Sequence, residues 1–329
     1  MNFHHKDTKI TKGTLPLCVF VSLWSKKLLA VLLLVFGVAA LAGDRALPAK
    51  SVITIGRATI DPAREQKILE PLAGYLASKL KDVGITRGDV VLASDNRDTT
   101  VIQYLKEGKL DIVLEAGLAA YRYKIAANAT PILLSLAAGG TSYSSYIFVR
   151  KDSGIASLEH LKGKVIAFND GRSAGGYLLP RLSAEARGIK FSPLSSPDSL
   201  VPRGTIGYVF AGPDINIATW VYYRKVDAGT MSSLSWFSSG KNPDVYRSQS
   251  EIIYQTEKIP AMVVMIRDGL ESKLVARTKE ELLKLPQTLE GREVLEKLNV
   301  TRFLEISGGE SPLFKSTVGL LKGSGEKRR

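Results

Sequence analysis

From Ser51 onward the chain alternates short apolar runs with stretches whose apolar residues recur every three or four positions. The runs "VITIG", "DVVLAS", "LDIVLE" and "PILLSLAA" have the length and β-branched content of buried strands. Between them, residues 64–81, 97–106 and 117–127 carry the period of amphipathic helices. After the extended "SYSSYIFVR" the same order restarts with "KVIAF", a helix following Ser173, "IGYVFAG", a helix near 214–224, and "VDAGTM". Such alternation predicts an α/β protein with mostly parallel sheet, in two similar units.

A short internal recurrence supports the pairing. "EGKLDIVLEAG" (107–117) and "YRKVDAGTMSS" (223–233) each close a helix with lysine, turn through an aliphatic-Asp pair, Leu110-Asp111 or Val226-Asp227, and begin a strand. Two long extended segments, "SYSSYIFVR" and "EIIYQTEKIPAMVVMIR", are the expected crossings between units. That gives a two-lobed molecule with a double crossover hinge: lobe 1 from 51–142 and 258–310, lobe 2 from 143–257, and a basic C-terminal tail at 311–329. A cleft between such lobes is where a ligand is held, with closure by a hinge.

The first 50 residues follow a different grammar. Lys26 and Lys27 precede a continuous apolar run from Leu28 that ends in Ala40-Leu41-Ala42, the layout of a secretory signal peptide spanning 1–42. The run is short for a span, which needs about 20 apolar residues, so a membrane-anchored form is the secondary expectation. Cys18, the chain's one cysteine, lies in this leader behind Leu17, which does not suit a lipid anchor. The exported part would then be cysteine-free, without disulfides or thiolate metal sites. Cleavage after Ala42 would remove five lysines and one aspartate and lower the formal charge from +13 to +9. That charge is spread along the chain, with no arginine-rich helix, so no nucleic-acid partner is expected. A diffuse positive field suits small anions.

The stretch "VIAFNDGRSAGGYLLP" (165–180) carries the chemistry. Gly171-x-Ser173-x-Gly175 fits the nucleophile elbow of serine hydrolases. The same turn, with free amides from Ser173 to Gly176 before a helix starting near Gly176, is also an anion cradle. A hydrolase triad needs a histidine after the serine, and the three histidines, His4, His5 and His160, all precede Ser173. No S-x-x-K surrounds Ser173, and no Walker loop, dinucleotide fingerprint or calcium loop is present, so neither cofactor, metal nor catalytic residue is expected. Arg172 either clamps an oxyanion from the side or is a solvated turn residue. Glu115 ends a strand, where open α/β sheets carry ligand residues, or caps the next helix; it could equally repel an anion. Asp227 either touches ligand or caps the start of its strand.

Taken together, "YSSYIFVRKDSGIASLEHLKGKVIAFNDGRSAGGYLLP" (143–180) resembles the phosphonate, phosphite and phosphate-binding proteins of ABC importers, which are type II periplasmic binding proteins. The shared pattern is Tyr-x-Ser, a strand ending in Arg, Asp-Ser-x-Ile, Leu-Lys-Gly-Lys, then a hydroxyl-rich turn followed by Pro. Matching order runs from Val52 to Ile306 and includes "LDIVLE", "KVDAG" and "EKIPAMVV". The resemblance implies that Tyr143 lines the cleft and that Ser173 is the first hydroxyl of the anion turn. Ala174 and Gly175 replace the next two hydroxyl residues, Gly212-Pro213 stands where many members have Ser-His, and Ser232 replaces a common acidic residue. It further implies a non-enzymatic, exported, periplasmic monomer that captures a small oxyanion and delivers it to an ABC permease. The alternative in another class is a ligand-sensing module for a membrane receptor.

Overall fold

The computed structural model describes residues 50–95 and 97–323; the expected signal peptide, Cys18 and the last six residues lie outside them. In chain order the strands are β1 Val52–Ala58, β2 Arg87–Ala93, β3 Ile112–Glu115, β4 Thr130–Leu136, β5 Ser142–Tyr143, β6 Ser145–Arg150 and β7 Val165–Phe168. They continue as β8 Phe191–Pro193, β9 Ile206–Phe210, β10 Ala228–Ser232, β11 Ser250–Gln255, β12 Ile259–Pro260, β13 Val263–Ile266 and β14 Arg302–Glu305. They build two six-stranded sheets, ordered β14-β4-β13-β3-β1-β2 and β11-β6-β10-β7-β9-β8, and one two-stranded ribbon, β12-β5. In the first sheet β2, β1 and β3 run parallel while β13 and β14 pair antiparallel with their neighbours. In the second, β8, β9, β7 and β10 are parallel and β6 and β11 antiparallel.

Both sheets are buried on both faces, which is why their central strands read as nearly continuous apolar runs. Ile112, Leu114, Val264 and Ile266 point into one core and Val113, Val263 and Met265 into the other. Ile147, Val149, Ile166 and Phe168 divide from Phe148, Val165 and Ala167 in the same way across the second sheet. This is the period-two alternation of a strand seen from a doubly covered sheet.

The two extended segments are each broken where they change sheet. "SYSSYIFVR" splits at Ser144 into β5 and β6, and the returning segment splits into β11, β12 and β13. Between the large sheets, β5 and β12 pair antiparallel, Tyr143 opposite Ile259 and Ser142 opposite Pro260. A small core gathers at this ribbon, drawing Leu118 from the helix after β3, Leu179 and Leu182 from the helix after β7, Tyr143, Ile259 and Leu320.

Leu320 belongs to the helix Glu310–Gly323, which corrects the expected basic tail at 311–329. Phe314 packs into the first-sheet core with its ring 5.5 Å from Tyr121, and Lys124 pairs with Glu310. Leu313, Phe314, Val318 and Leu321 follow helical spacing, a signal outweighed in the sequence reading by the charges that follow.

Asn128 and Asn299, which match glycosylation sequons, have positive φ and close helices as left-handed C-caps.

Candidate functional site

The turn after β7 is held by side chains on both of its sides. The carboxylate of Asp170 accepts from the amides of Arg172 (2.8 Å) and Ser173 (3.0 Å), an Asx-type capture that fixes the turn. Ser173 is an N-cap: its Oγ accepts from the Gly176 amide at 3.1 Å. One π-helical turn, Ala174–Leu178, follows and leads into the α-helix Leu179–Glu185, with Pro180 in its first turn. Two buried hydroxyls brace the far side, Ser145 donating to the Gly175 carbonyl and Thr230 to the Gly176 carbonyl, both at 2.6 Å.

These contacts correct one expectation. The amides from Ser173 to Gly176 are not all open; Ser173 gives its N–H to Asp170 and Gly176 gives its N–H to the Ser173 hydroxyl. Among the described residues, only the amides of Ala174 and Gly175 in this group take no protein acceptor. Gly175 is required by space: a Cβ there would lie 2.8 Å from Ser232 Cβ and 3.1 Å from Tyr143 Cε2. The turn therefore sits directly against the buried Tyr143 of the ribbon and against Ser232 at the end of β10.

Arg172 is partly buried and does not stand alone. Its guanidinium crosses to Asp98, the first residue of the helix Asp98–Lys106 on the other sheet, at 3.2 Å. Asp98 also accepts from Arg122 at 3.1 Å and from the Tyr123 hydroxyl at 3.3 Å. Arg57, near the end of β1, is tied to Glu65 at 2.6 Å. Glu115 ends β3 inside this ring of charge. Burial is the main cause that lifts its carboxyl to about 7; Asp98 adds to the rise, and Arg57 and Arg172 oppose it. Burial, and then the Glu115 charge, also push the Tyr123 and Tyr143 phenols up.

Tyr143, Ser173, Ala174, Gly175 and Gly176 thus come together at one place, with Arg172 and Glu115 beside it. Asp227 does not. It precedes β10, at the opposite ends of the strands, where its carboxylate accepts from the Val165 amide at 2.8 Å and approaches Lys164 at 3.8 Å. It pins the start of β7, as Asp111 pins β1 by accepting from the Thr54 amide at 2.8 Å. Asp98, Asp170, Ser145 and Thr230 were missed in the sequence. Asp170 had a readable signal, an Asp two and three residues ahead of a turn; Asp98 had none, because its role depends on the other lobe.

The nucleophile-elbow reading finds no histidine beside the serine among the described residues. His160 lies before β7 and Ser173 after it, so the strand separates them, and the Ser173 hydroxyl is used as a helix cap. What remains is a site between the carboxyl ends of two α/β sheets, with a braced turn, paired arginines and a partly buried carboxylate. That is the architecture of a type II periplasmic binding protein.

The family described as "ABC transporter, phosphonate, periplasmic substrate-binding protein" matches residues 58–310, and the chain belongs to it. XAC2383 from Xanthomonas citri is similar in two structures, bound to chloride ion (29% identity, TM-score 0.75) and bound to ATP (28%, 0.75), each covering 84% of this chain and 98% of that one. A binding protein component of an ABC phosphonate transporter from Pseudomonas aeruginosa shares the fold at 20% identity and TM-score 0.60, over 83% of this chain and 88% of that one. PhnD1 from Prochlorococcus marinus, in complex with methylphosphonate, does so at 17% and 0.59, over 83% and 97%. The family is the substrate-binding part of an importer, not an enzyme; it implies a small-molecule ligand, a permease partner and an extracytoplasmic location. Among the described residues no helix is long and apolar enough to cross a membrane.

Proposed function

We propose that the chain captures a small oxyanion of the phosphate, phosphite or phosphonate type between its two lobes and delivers it to an ABC permease. The lobes are 51–142 with 258–310, and 143–257, closing about the β5–β12 ribbon. The observation that carries this reading is the braced turn: Asp170, Ser145 and Thr230 fix it, and it keeps the Ala174 and Gly175 amides without a protein acceptor beside Tyr143. Fixed donors need no reorganisation when an anion arrives, and each hydrogen bond to a charged group contributes about 1.5–3 kcal/mol. Arg172 adds a cation at the rim. XAC2383, the relative with chloride and ATP, also takes anions, which agrees with an anion site in this chain.

Native mass spectrometry of protein purified without refolding, followed by calorimetry with phosphate, phosphite, methylphosphonate and ATP, tests it. The expected result is saturable binding of at least one small oxyanion and a more compact particle by small-angle scattering on saturation. No bound anion, and no heat with any of the four, would overturn the reading.

A further inference from the structure

Glu115 differs from the other charged groups of the cleft. Arg57 is committed to Glu65, and Arg122 and Arg172 share Asp98. Glu115 makes no ion pair within 4 Å among the described residues; its carboxylate is helped only by the backbone amide of Ala116 and by cations at longer range. It is held in place by its strand, opposite Val263 in β13. The groups facing it come from five elements: Arg57 of β1, Asp98 at a helix start, Arg172 from the other lobe, Tyr123 from the helix after β3, and Tyr143 of the ribbon. Tyr143 in turn touches the space beside Gly175, so Glu115 and the braced turn flank the same tyrosine.

An oxyanion held at that turn adds negative charge to the cluster that already acts on Glu115, whose carboxyl responds to Asp98 and Arg172 and whose charge acts on Tyr143 beside Gly175. Two like charges in a partly desolvated cleft disfavour each other, and the cheaper outcome is for the carboxylate to keep a proton. A protonated carboxyl is also a hydrogen-bond donor, where the ionised form can only accept. We propose that Glu115 binds the oxyanion in its protonated form, donating a hydrogen bond to it, so that anion capture is coupled to uptake of a proton from solvent. This rests on the anion-capture reading above and adds the state of one residue to it. Burial already lifts its carboxyl to about 7. Binding is therefore strongest below about pH 7, and above it affinity falls, approaching tenfold per pH unit for one linked proton. A ligand presenting an ammonium group to Glu115 would reverse the sign, because it favours the ionised carboxylate and expels the proton.

The test is calorimetric titration with inorganic phosphate and with methylphosphonate, near pH 6 and near pH 8, in buffers of different ionisation enthalpy. Wild type, Glu115→Gln and Glu115→Asp are compared, so that the titration of the probe itself cancels. The wild type should take up close to one proton more than Glu115→Gln near pH 8, and Glu115→Gln should bind more tightly than wild type there, with a flatter pH profile. Glu115→Asp keeps a carboxyl and should keep the proton uptake, which separates protonation from a folding defect. Equal proton counts in wild type and Glu115→Gln, or proton release by wild type, overturn the proposal while leaving anion capture standing. Absence of binding by every variant at both pH values removes the anion-capture reading, and this one with it.

Discussion

Arg172, on the turn that follows β7, reaches 3.2 Å across the cleft to Asp98 at the head of a helix on the other sheet. The pair ties the turn of one sheet to the helix of the other, and Asp98 divides its charge between two guanidiniums, Arg172 and Arg122. The two sheets are thus tied by charges of their own, and the arginine that would meet an anion already has a carboxylate.

That arrangement predicts opposite effects for the two partners. Arg172→Ala removes a cation from the rim, so anion affinity should fall by about 1.5–3 kcal/mol, roughly 10- to 100-fold. Asp98→Ala releases both guanidiniums, so affinity should rise while the free particle expands in small-angle scattering. A double-mutant cycle on stability should give a coupling of about 1 kcal/mol or less for a partly exposed pair. If Asp98→Ala weakens binding as much as Arg172→Ala, Asp98 touches the ligand directly.

The capping role of Ser173 changes what its removal does. Ser173→Ala should lower stability by about 1 kcal/mol through loss of the cap, whereas Ser173→Gly should cost only a few tenths. Gly175→Ala should be worse, about 1–3 kcal/mol, because the new methyl has to displace Ser232 or Tyr143. Urea denaturation reads the stabilities and calorimetry reads the affinities. Gly175→Ala with unchanged stability and unchanged binding would mean that the turn is not packed as described. Fluorophosphonate probes should leave Ser173 unlabelled, since its hydroxyl caps the Gly176 amide and no histidine follows it in the chain.

The strands were legible because both sheets are covered on two faces, which turns central strands into apolar runs such as "LDIVLE" and "KVIAF". The ribbon was less so: two-residue strands at Tyr143 and Ile259 carry no periodicity, and they merged with their longer neighbours. In the turn, glycines and a serine signalled its shape but not the fate of each amide. The amides of Ser173 and Gly176 are consumed locally by Asp170 and by the serine itself, a competition of side chain with ligand that spacing alone does not reveal. The C-terminal helix was hidden by the charge of the residues around it. Asp98 was invisible because the contact that defines it joins residues 74 positions apart on different sheets.

The recurrence of Leu110-Asp111 and Val226-Asp227 marked a shared architectural job, and the two copies differ in how much rests on them. Asp111 is fully buried and holds Lys50 at 2.6 Å, Arg267 at 2.7 Å, and the Thr54 amide and hydroxyl at 2.8 Å. Removing its charge leaves two cations facing a buried site, which costs about 3–5 kcal/mol when a buried pair is broken. Asp227 is partly exposed, holds one amide closely and has its lysine 3.8 Å away, so its loss should cost about 1 kcal/mol. Asp111→Asn should therefore destabilise the chain several times more than Asp227→Asn in urea denaturation. Both aspartates sit where their strands begin, away from the cleft, so neither substitution should change anion affinity in the folded protein. A tenfold loss of affinity in a fully folded Asp227→Asn would return that residue to the ligand site.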